Sequence, residues 1–277
     1  MSYSDKISKH YHHGNLLSAI KAGLEKQGIK PENASVEDLG PVDEFHIGGR
    51  LASVHFLDQL EITAPQNILD IGCGLGGSAR FVAKNYGAKV TGIDLTPEYI
   101  ETGKALCGWV GLSDRIELLQ GNAQALPFQD ASFDCAYMMH VGMNIEDKSA
   151  MFAELSRVLK PGAKLGIYDI MATSDDDLIY PVPWATTSET SWLAKPKDYR
   201  AALENNGLHV VKETDRHDFA IDFFAKMKVA SAAADGPPPL GLHLLMQQTT
   251  AEKIPNMVAN LAAGRISPIE MIATKPV

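Results

Sequence analysis

"NILDIGCGLGGSARF", residues 67–81, is the stretch that decides the fold. An apolar run ends in an acid at Asp70, and glycines follow at positions 72, 74, 76 and 77. The apolar run predicts a buried strand, and "GGSARFVAKNY" after it predicts a helix. A glycine turn between a strand and a helix lets the backbone approach a ligand closely and presents helix N–H groups to it.

Downstream of this turn, short apolar runs alternate with helical patterns. Six more strands are predicted, at "AKVTGIDL", "RIELLQG", "FDCAYMMH", "AKLGIYDIM", "LHVVKETD" and "RISPIEMIATKP". Strands without polar alternation that are joined by helices are typical of a parallel sheet covered on both faces. The sequence therefore predicts an α/β fold with a seven-stranded, mostly parallel sheet.

The flanking segments predict a lid and a cap. Residues 1–47 are polar and are predicted to form an N-terminal lid segment, with one helix around 16–27 and a loop over "GIKPENASVEDLGPVDEF". Residues 48–277 are predicted to form the main domain. Cap insertions are expected at about 172–196, an irregular Pro- and Trp-bearing loop, and at about 218–263, a mostly helical stretch.

Composition excludes several function classes. The chain has 277 residues, a net charge of −9 and a pI of about 5.5, which argues against a nucleic-acid partner. Three widely spaced cysteines suggest reduced thiols, and no apolar run is long enough for a membrane span, so we expect a cytoplasmic protein. "HYHH" at 10–13 has no matching cysteine spacing, so no metal site is predicted there and a solvated terminus is favoured. Monomer and homodimer both stay open.

Two ligands fit the glycine turn. Gly72, Gly74 and Gly77 match the G-x-G-x-x-G spacing of dinucleotide sites, and Asp94 at the end of the next strand suits the ribose of either ligand. Asp70 separates the alternatives, because a carboxylate there would face a dinucleotide pyrophosphate at close range. S-adenosylmethionine has no phosphate, and its ammonium group suits a nearby carboxylate.

Four segments in order, "LDIGCGLGG", "GIDLTPEYI", "GNAQALPFQDASFDCAYMMHV" and "VLKPGAKLGIYD", resemble the class I S-adenosylmethionine-dependent methyltransferases over residues 67–171. "VDEFHIGGR" and "YPVPWA" resemble the small-molecule branch with the glycine, sarcosine and dimethylglycine N-methyltransferases. The resemblance implies a Rossmann-like sheet with a helical cap, S-adenosylmethionine as donor, S-adenosylhomocysteine as product and a small-molecule acceptor, with an amine as the first expectation. Carbon, oxygen and sulfur acceptors stay open, as do an NAD(P)-dependent oxidoreductase and a non-catalytic cofactor-binding protein.

The resemblance also implies cofactor contacts. The methionine-end contacts map onto Asp70, Gly72 and Gly74, the ribose acid onto Asp94, and the adenine contacts onto the two strand-end loops that follow. Many relatives carry Asp where this chain has Asn122, whose amide oxygen can still accept a hydrogen bond. The full predicted cofactor-binding set is Asp70, Gly72, Cys73, Gly74, Asp94, Leu95, Asn122, Ala123, Gln124 and Met139.

Three residues near the ends of the fourth and fifth strands are catalytic candidates. His140 has a side chain whose ordinary pKa is near neutrality, so it is a candidate base; alternatively it bonds a backbone carbonyl and shapes the wall. Asn144 and Tyr168 are candidates to orient the substrate, and for Tyr168 a core role is the competing interpretation.

Four residues are predicted to contact the substrate or close the site. Phe45 and His46 are expected to cover the donor, and Arg50 is expected to pair with a substrate carboxylate. Trp184 is expected to offer an aromatic wall to a methylated ammonium. The competing interpretation for this group is a polar loop packed on the sheet edge, with Trp184 as a loop anchor.

Overall fold

The seven predicted strands form one sheet. The computed structural model describes residues 7, 10–12, 14–234, 236–246 and 249–277. The strands are Asn67–Ile71 (β1), Lys89–Asp94 (β2), Ile116–Gln120 (β3), Phe133–Met139 (β4), Leu159–Ala172 (β5), His209–Asp215 (β6) and Ile266–Thr274 (β7). Their order is β3-β2-β1-β4-β5-β7-β6, and only β7 runs antiparallel to its neighbours. The prediction of a mostly parallel seven-stranded sheet is confirmed.

Helices cover both faces of this sheet. The described helices are Leu16–Lys26 (α1), Val36–Asp43 (α2), Gly49–Asp58 (α3), Gly77–Tyr86 (α4), Pro97–Trp109 (α5), Lys148–Val158 (α6), Pro196–Asn205 (α7), His217–Ala232 (α8), His243–Met246 (α9) and Thr250–Ala262 (α10). Successive residues of a strand point to opposite faces. On β1, Leu69 packs in a cluster with Phe152 of α6, whereas Ile68 packs in another cluster with Phe56 of α3. Each face of the sheet therefore has its own apolar core.

The strand order places a crevice next to β1. The chain builds outward from β1 to β3 and then returns to add β4 on the other side of β1. Loops from β1 and β4 diverge at this switch point, and ligands of open parallel sheets bind beyond the carboxyl ends of the strands there. The glycine turn, residues 72–77, and the loop at 140–144 therefore meet at one place.

The prediction of a loop over residues 28–45 is wrong. This stretch contains the short 3₁₀ helix Pro31–Asn33 and the helix α2. Ser35 caps α2: its hydroxyl accepts from the Asp38 N–H, and Asp38 accepts from the Ser35 N–H at 2.8 Å. A serine followed three residues later by an acid is a sequence signal for a helix start, and it was present here.

A buried ion pair fixes α2 against the glycine turn. Arg80 of α4 is fully buried and pairs with Asp43, its Nε donating at 3.2 Å. Its Nη1 also donates to the Leu75 carbonyl at 2.7 Å, inside the turn. A β-carbon at Gly77 would collide with Asp43, so the close approach of α2 depends on that glycine. The helix α2 of the N-terminal segment is thus packed onto the glycine turn.

The predicted cap segments also pack on this end of the sheet. Trp184 lies in one apolar cluster with Phe224 of α8 and Met257 of α10. Part of the predicted lid, residues 1–6, 8, 9 and 13, lies outside the described residues, as do 235, 247 and 248 of the second insertion. Among the helices described, none is both long and apolar enough to cross a bilayer.

Candidate functional site

A cavity at the carboxyl ends of β1, β2 and β4, hereafter the glycine-loop cavity, collects most of the predicted site residues. All ten predicted cofactor residues line it, together with Phe45, His46, His140 and Asn144; the ten are Asp70, Gly72, Cys73, Gly74, Asp94, Leu95, Asn122, Ala123, Gln124 and Met139. Of the other predicted site residues, Trp184 lines a neighbouring cavity, and Tyr168 and Arg50 line neither. The role of each residue stays a prediction, but their convergence is a feature of the fold.

The glycine turn is held in a conformation that needs glycine. Gly72 has a φ of +64°, and a β-carbon there would collide with the Val141 side chain of the neighbouring loop. The N–H groups of Gly72 and Cys73 both donate to the Ile93 carbonyl, at 2.8 and 3.1 Å. The turn is therefore fastened to the end of β2, with its backbone exposed to the cavity.

Asp94 is fixed by backbone donors. One carboxylate oxygen accepts from the Gly74 N–H at 3.0 Å, and the other accepts from the Thr96 N–H at 2.8 Å. Burial raises the pKa of Asp94, and these two backbone hydrogen bonds oppose that rise. Each oxygen keeps a further lone pair, so the side chain can accept two hydroxyl groups from a ligand in the cavity.

Asp70 is a buried acid beside the glycine turn. It is 3% exposed and accepts a hydrogen bond from the Tyr137 hydroxyl at 3.0 Å. Burial raises the pKa of Asp70 to about 8, opposed by the Tyr137 hydrogen bond and reinforced by the nearby Asp94 charge. Within the described residues, no Lys, Arg or His lies within ion-pair distance of this carboxyl group. A positively charged ligand group is what would favour its ionised form.

The loop after β3 supplies the third side of the cavity. The Asn122 side-chain oxygen accepts from the Gln124 N–H at 2.9 Å, and the Ala125 N–H donates to the Asn122 carbonyl at 3.0 Å. This tight turn presents Asn122, Ala123 and Gln124 to the cavity. An amide oxygen at this position retains one lone pair for a ligand donor.

The loop after β4 is held by a buried carboxylate. Asp169 on β5 accepts from the Val141 N–H at 2.7 Å and from the Gly142 N–H and the Tyr199 hydroxyl at 3.0 Å. Burial raises its pKa to about 6. Asn144, in the 3₁₀ turn that follows, donates to the Trp184 carbonyl at 2.9 Å. Asp169 therefore shapes the loop that carries the catalytic candidates, and it does not line the glycine-loop cavity.

Both ring nitrogens of His140 have backbone partners. Nδ1 lies 3.1 Å from the Tyr168 carbonyl, so it is the protonated nitrogen. Nε2 accepts from the Ile47 N–H at 3.3 Å. Burial lowers the pKa of His140 to about 3, so the ring is neutral at physiological pH. This geometry favours the interpretation in which His140 shapes the wall and holds the loop at Ile47.

Tyr168 supports the same loop from below. It is fully buried, and its hydroxyl donates to the Ile47 carbonyl at 2.9 Å. Its ring lies 4.9 Å from the ring of His140, edge to face. The position of Tyr168 therefore matches the competing interpretation from sequence, a role in the core, and does not place its side chain against a substrate.

A second cavity adjoins the first. We call this second cavity the apolar cavity. Its walls come from the loop at 44–47, the loop after β4, residues 183–184, the residue before α9, and the helices α8, α9 and α10. It shares four wall residues with the glycine-loop cavity: Tyr11, Phe45, His46 and His140. Ligands in two adjoining cavities can react when their reacting atoms come within about 3–3.5 Å of each other, and the shared residues mark where the two cavities meet.

His46 stands in that common wall with one nitrogen engaged. Ser53 donates its hydroxyl to Glu44 at 2.6 Å, so the His46 Nε2 that lies 3.0 Å from Ser53 carries a proton. The Gly49 carbonyl is a further acceptor for it at 3.2 Å. No hydrogen bond to the other ring nitrogen, Nδ1, is recorded among the residues that the structure describes. Burial lowers the pKa of His46 to about 4, so this nitrogen bears a lone pair at neutral pH.

Arg50 is not brought to either cavity. Its guanidinium group lies 2.7 Å from Glu44 and over the ring of Phe81, 4.5 Å from the ring centroid. The expectation that Arg50 pairs with a substrate carboxylate is therefore not met by its position. Glu44 is a buried carboxylate beside Arg50, and a buried charge left without a partner is costly, so the two side chains pair with each other.

The N-terminal histidine stretch is not a freely solvated terminus. His10 lies 3.2 Å from the Pro183 carbonyl, and Tyr11 donates its hydroxyl to Asn144 at 3.0 Å. His12 lies 3.1 Å from Glu98, and His13 is outside the described residues. Across the described part of the chain, no group of three or more His, Cys, Asp or Glu side chains could hold a metal ion.

Sequence reasoning missed two wall residues. Tyr11 lines both cavities, and Asp43 lines the glycine-loop cavity while pairing with Arg80. Nothing in the pattern around Tyr11 marked it. For Asp43 the helix-start signal at Ser35 would have placed an acid at the end of α2, but not its partner.

Known proteins are similar to this chain in sequence and in fold. A family model described as "Methyltransferase domain" matches residues 69–167. The sterol 4-C-methyltransferase strm-1 of Caenorhabditis elegans is 37% identical over 123 residues, 44% of this chain. The chain spans only 36% of the length of that relative.

Two further comparisons extend over more of the chain. A Galdieria sulphuraria structure with the provisional assignment of a sarcosine dimethylglycine methyltransferase has a TM-score of 0.65 at 21% identity, covering 82% of this chain and 84% of its own. The O-methyltransferase resE of Aspergillus sclerotiorum is 30% identical over 212 residues, which cover 74% of this chain and 75% of that protein. Because a methyltransferase that is 30% identical matches about three quarters of both lengths, the chain belongs to the family of S-adenosylmethionine-dependent methyltransferases.

Proposed function

We propose that this protein transfers a methyl group from S-adenosylmethionine to a small-molecule acceptor. The observation that carries the proposal is a pair of acids, the buried Asp70 and the partly exposed Asp94, in one cavity beside the glycine turn. Asp94 suits a ribose of either ligand, whereas Asp70 separates them: a buried carboxyl group gives a pyrophosphate no cation to pair with, but its ionised form pairs with an ammonium group. The rival, an NAD(P)-dependent oxidoreductase, would have to place the pyrophosphate of its cofactor beside Asp70.

The residues present fit the donor. Asp94 has a free lone pair on each carboxylate oxygen for the two ribose hydroxyls, and Asn122 keeps one for the adenine amino group. Asp70 is a buried acid whose ionised form lacks a charged partner until an ammonium binds. When bound, the donor supplies an activated methyl group on a sulfonium sulfur, so this chain chiefly orients the two reactants and excludes water.

The acceptor must offer a free electron pair to the methyl group: a lone pair on nitrogen, oxygen or sulfur, or the π electrons of a carbon nucleophile. An amine is the first expectation; carbon, oxygen and sulfur acceptors remain, in line with the C- and O-methyltransferase names among the relatives. An amine that enters neutral needs no base. For a hydroxyl or thiol, we infer that His46 takes the proton, because its Nδ1 keeps a lone pair and both nitrogens of His140 are engaged.

We also propose a domain organisation and a cellular location for the protein. Residues 1–47 act as a lid segment, and 48–277 act as the methyltransferase domain with cap insertions at about 172–196 and 218–263. The free thiols Cys73, Cys107 and Cys135 support a cytoplasmic location, and the acidic balance argues against a nucleic-acid partner. No metal enters the proposal, because the sulfonium is already activated; monomer and homodimer both remain open.

Isothermal titration with S-adenosylhomocysteine and with NAD tests the cofactor assignment. We expect binding of S-adenosylhomocysteine and none of NAD; the reverse pattern would overturn the proposal in favour of an oxidoreductase. A donor-consumption assay across amines, amino acids and phenols then tests turnover. Donor binding with no turnover on any acceptor would favour a non-catalytic cofactor-binding protein.

A further inference from the structure

The apolar cavity has walls of one chemical kind. Its lining includes four methionines, three aromatic rings from the cap, and branched aliphatic side chains. Phe224 and Met257 are 8% and 2% exposed, and the rings of Phe223 and Phe224 contact each other at 5.4 Å between centroids. Methionine and aromatic side chains adapt to an apolar ligand and gain by removing its surface from water.

The charged groups around this cavity are already paired or neutral. Glu44 is the one acidic side chain in its described lining; Ser53 donates a hydrogen bond to one of its oxygens, and Arg50 forms an ion pair with the other. His46 and His140 are neutral at physiological pH for the reasons given above. No Lys or Arg side chain is found in the described lining. A substrate carboxylate or phosphate buried here would have no cation to pair with, which is costly.

The cavity is placed for the acceptor. It meets the glycine-loop cavity at Tyr11, Phe45, His46 and His140, so ligands in the two cavities would approach each other at these residues. Resting on the proposed function, we infer that the methyl acceptor is a largely hydrocarbon molecule that buries an uncharged skeleton in the apolar cavity and presents its nucleophilic atom at His46. Amino-acid acceptors such as glycine or sarcosine do not fit this wall.

A matched series of phenols tests this inference in the presence of saturating S-adenosylhomocysteine. Each methylene added between para-methylphenol and para-pentylphenol should tighten binding about fourfold, the value for burying one CH₂ group. 3-(4-Hydroxyphenyl)propionate, whose side chain has as many non-hydrogen atoms as that of para-pentylphenol but carries a carboxylate, should bind at least about tenfold more weakly than para-pentylphenol because its charge loses water without gaining a cation. Titration calorimetry measures both, with sarcosine as the amino-acid probe.

Two variants on the same helix separate the cavity from the surface. Phe223→Arg places a cation in the wall and should abolish the dependence of affinity on chain length. Val229→Arg, at a position 72% exposed on the same helix, should leave it unchanged. Both variants should keep the wild-type affinity for S-adenosylhomocysteine; Met227→Arg replaces the first variant if that protein does not fold.

The outcomes are distinct. Failure of S-adenosylhomocysteine to bind the wild-type protein overturns the proposed function and this inference with it. Binding of S-adenosylhomocysteine with a phenol affinity that ignores chain length, or with sarcosine or the carboxylate analogue as the tighter ligand, overturns this inference alone. Equal loss in the Phe223→Arg and Val229→Arg variants would also contradict it, because the binding would then lie outside the cavity.

Discussion

Cofactor binding should release a proton from Asp70. In the ligand-free protein burial raises the pKa of Asp70 to about 8, with the Tyr137 hydrogen bond and Arg80 lowering it and Asp94 raising it. Burial also holds the pKa of Cys73 and of Tyr137 well above neutrality, so these two stay uncharged. An ammonium placed beside the carboxyl group favours its ionised form and lowers its pKa. The proton must then leave when the ligand binds.

The magnitude follows from the pKa of about 8. At about pH 7 only about a tenth of the protein has Asp70 ionised, so binding should release about 0.9 proton. The sign is fixed, because the bound form holds fewer protons: affinity should rise with pH, by about tenfold between pH 6 and 7, and should level off above the pKa near 8. A ligand that binds a protonated acid would show neither effect.

Calorimetry measures this release directly. The enthalpy of S-adenosylhomocysteine binding is compared at one pH in phosphate and in Tris, whose ionisation enthalpies differ, and the difference gives the protons released. Asp70→Asn is the matched control, since it keeps the shape and the Tyr137 contact but has no proton to lose. Wild-type protein that releases none, or a variant that releases as many, would refute the assignment of the ammonium to Asp70.

Three further substitutions test other parts of the site. Asp94→Ala should weaken S-adenosylhomocysteine binding by about 2 kcal/mol, or about thirtyfold, because hydrogen bonds to a charged acceptor are lost; unchanged affinity in a titration would contradict the ribose role. Arg80→Leu should lower the free energy of unfolding by about 3–5 kcal/mol in urea melts because Asp43 is left buried and unpaired, and Asp43→Leu added to it should restore part of that loss. With an oxygen acceptor, His46→Gln should lower turnover about a hundredfold or more at unchanged donor affinity, and His140→Ala should lower turnover by less than His46→Gln does. The opposite order would return the base role to His140.

The fold could be predicted from the sequence because its buried strands are apolar at successive positions. Ile68, Leu69 and Ile71 are all fully buried, and a strand buried on both faces must be apolar at successive positions. The glycine turn could be placed for a similar reason, since Gly72 has a backbone angle and a neighbour that exclude a β-carbon. Residues at the ends of such strands, Asp94 among them, can therefore be assigned to the cavity from sequence.

Pairing between side chains was the part that sequence did not show. The sequence predicts that Arg50 contacts a substrate, but in the structure Arg50 forms an ion pair with Glu44, six positions earlier in the chain. The two nitrogens of His140 are engaged by Tyr168 and Ile47, one from the next strand and one from the N-terminal loop. A candidate base can be named from its residue type, but whether its lone pair is free depends on contacts distant in the chain.

The two halves of the site differ in how the chain builds them. The predicted donor contacts of the glycine-loop cavity lie at the ends of β1 to β4, whose positions the register of a parallel sheet fixes, and they fall within the matched residues 69–167, whereas the N-terminal segment adds further wall residues to that cavity. Most of the acceptor half comes from 44–47, 183–184 and the cap helices, all outside that range. Their apolar spacing is the same whether a helix packs on a core or on a ligand, so periodicity alone does not distinguish the two. Substitutions in the cap can therefore change which acceptor is bound while the donor-binding strand ends stay as they are.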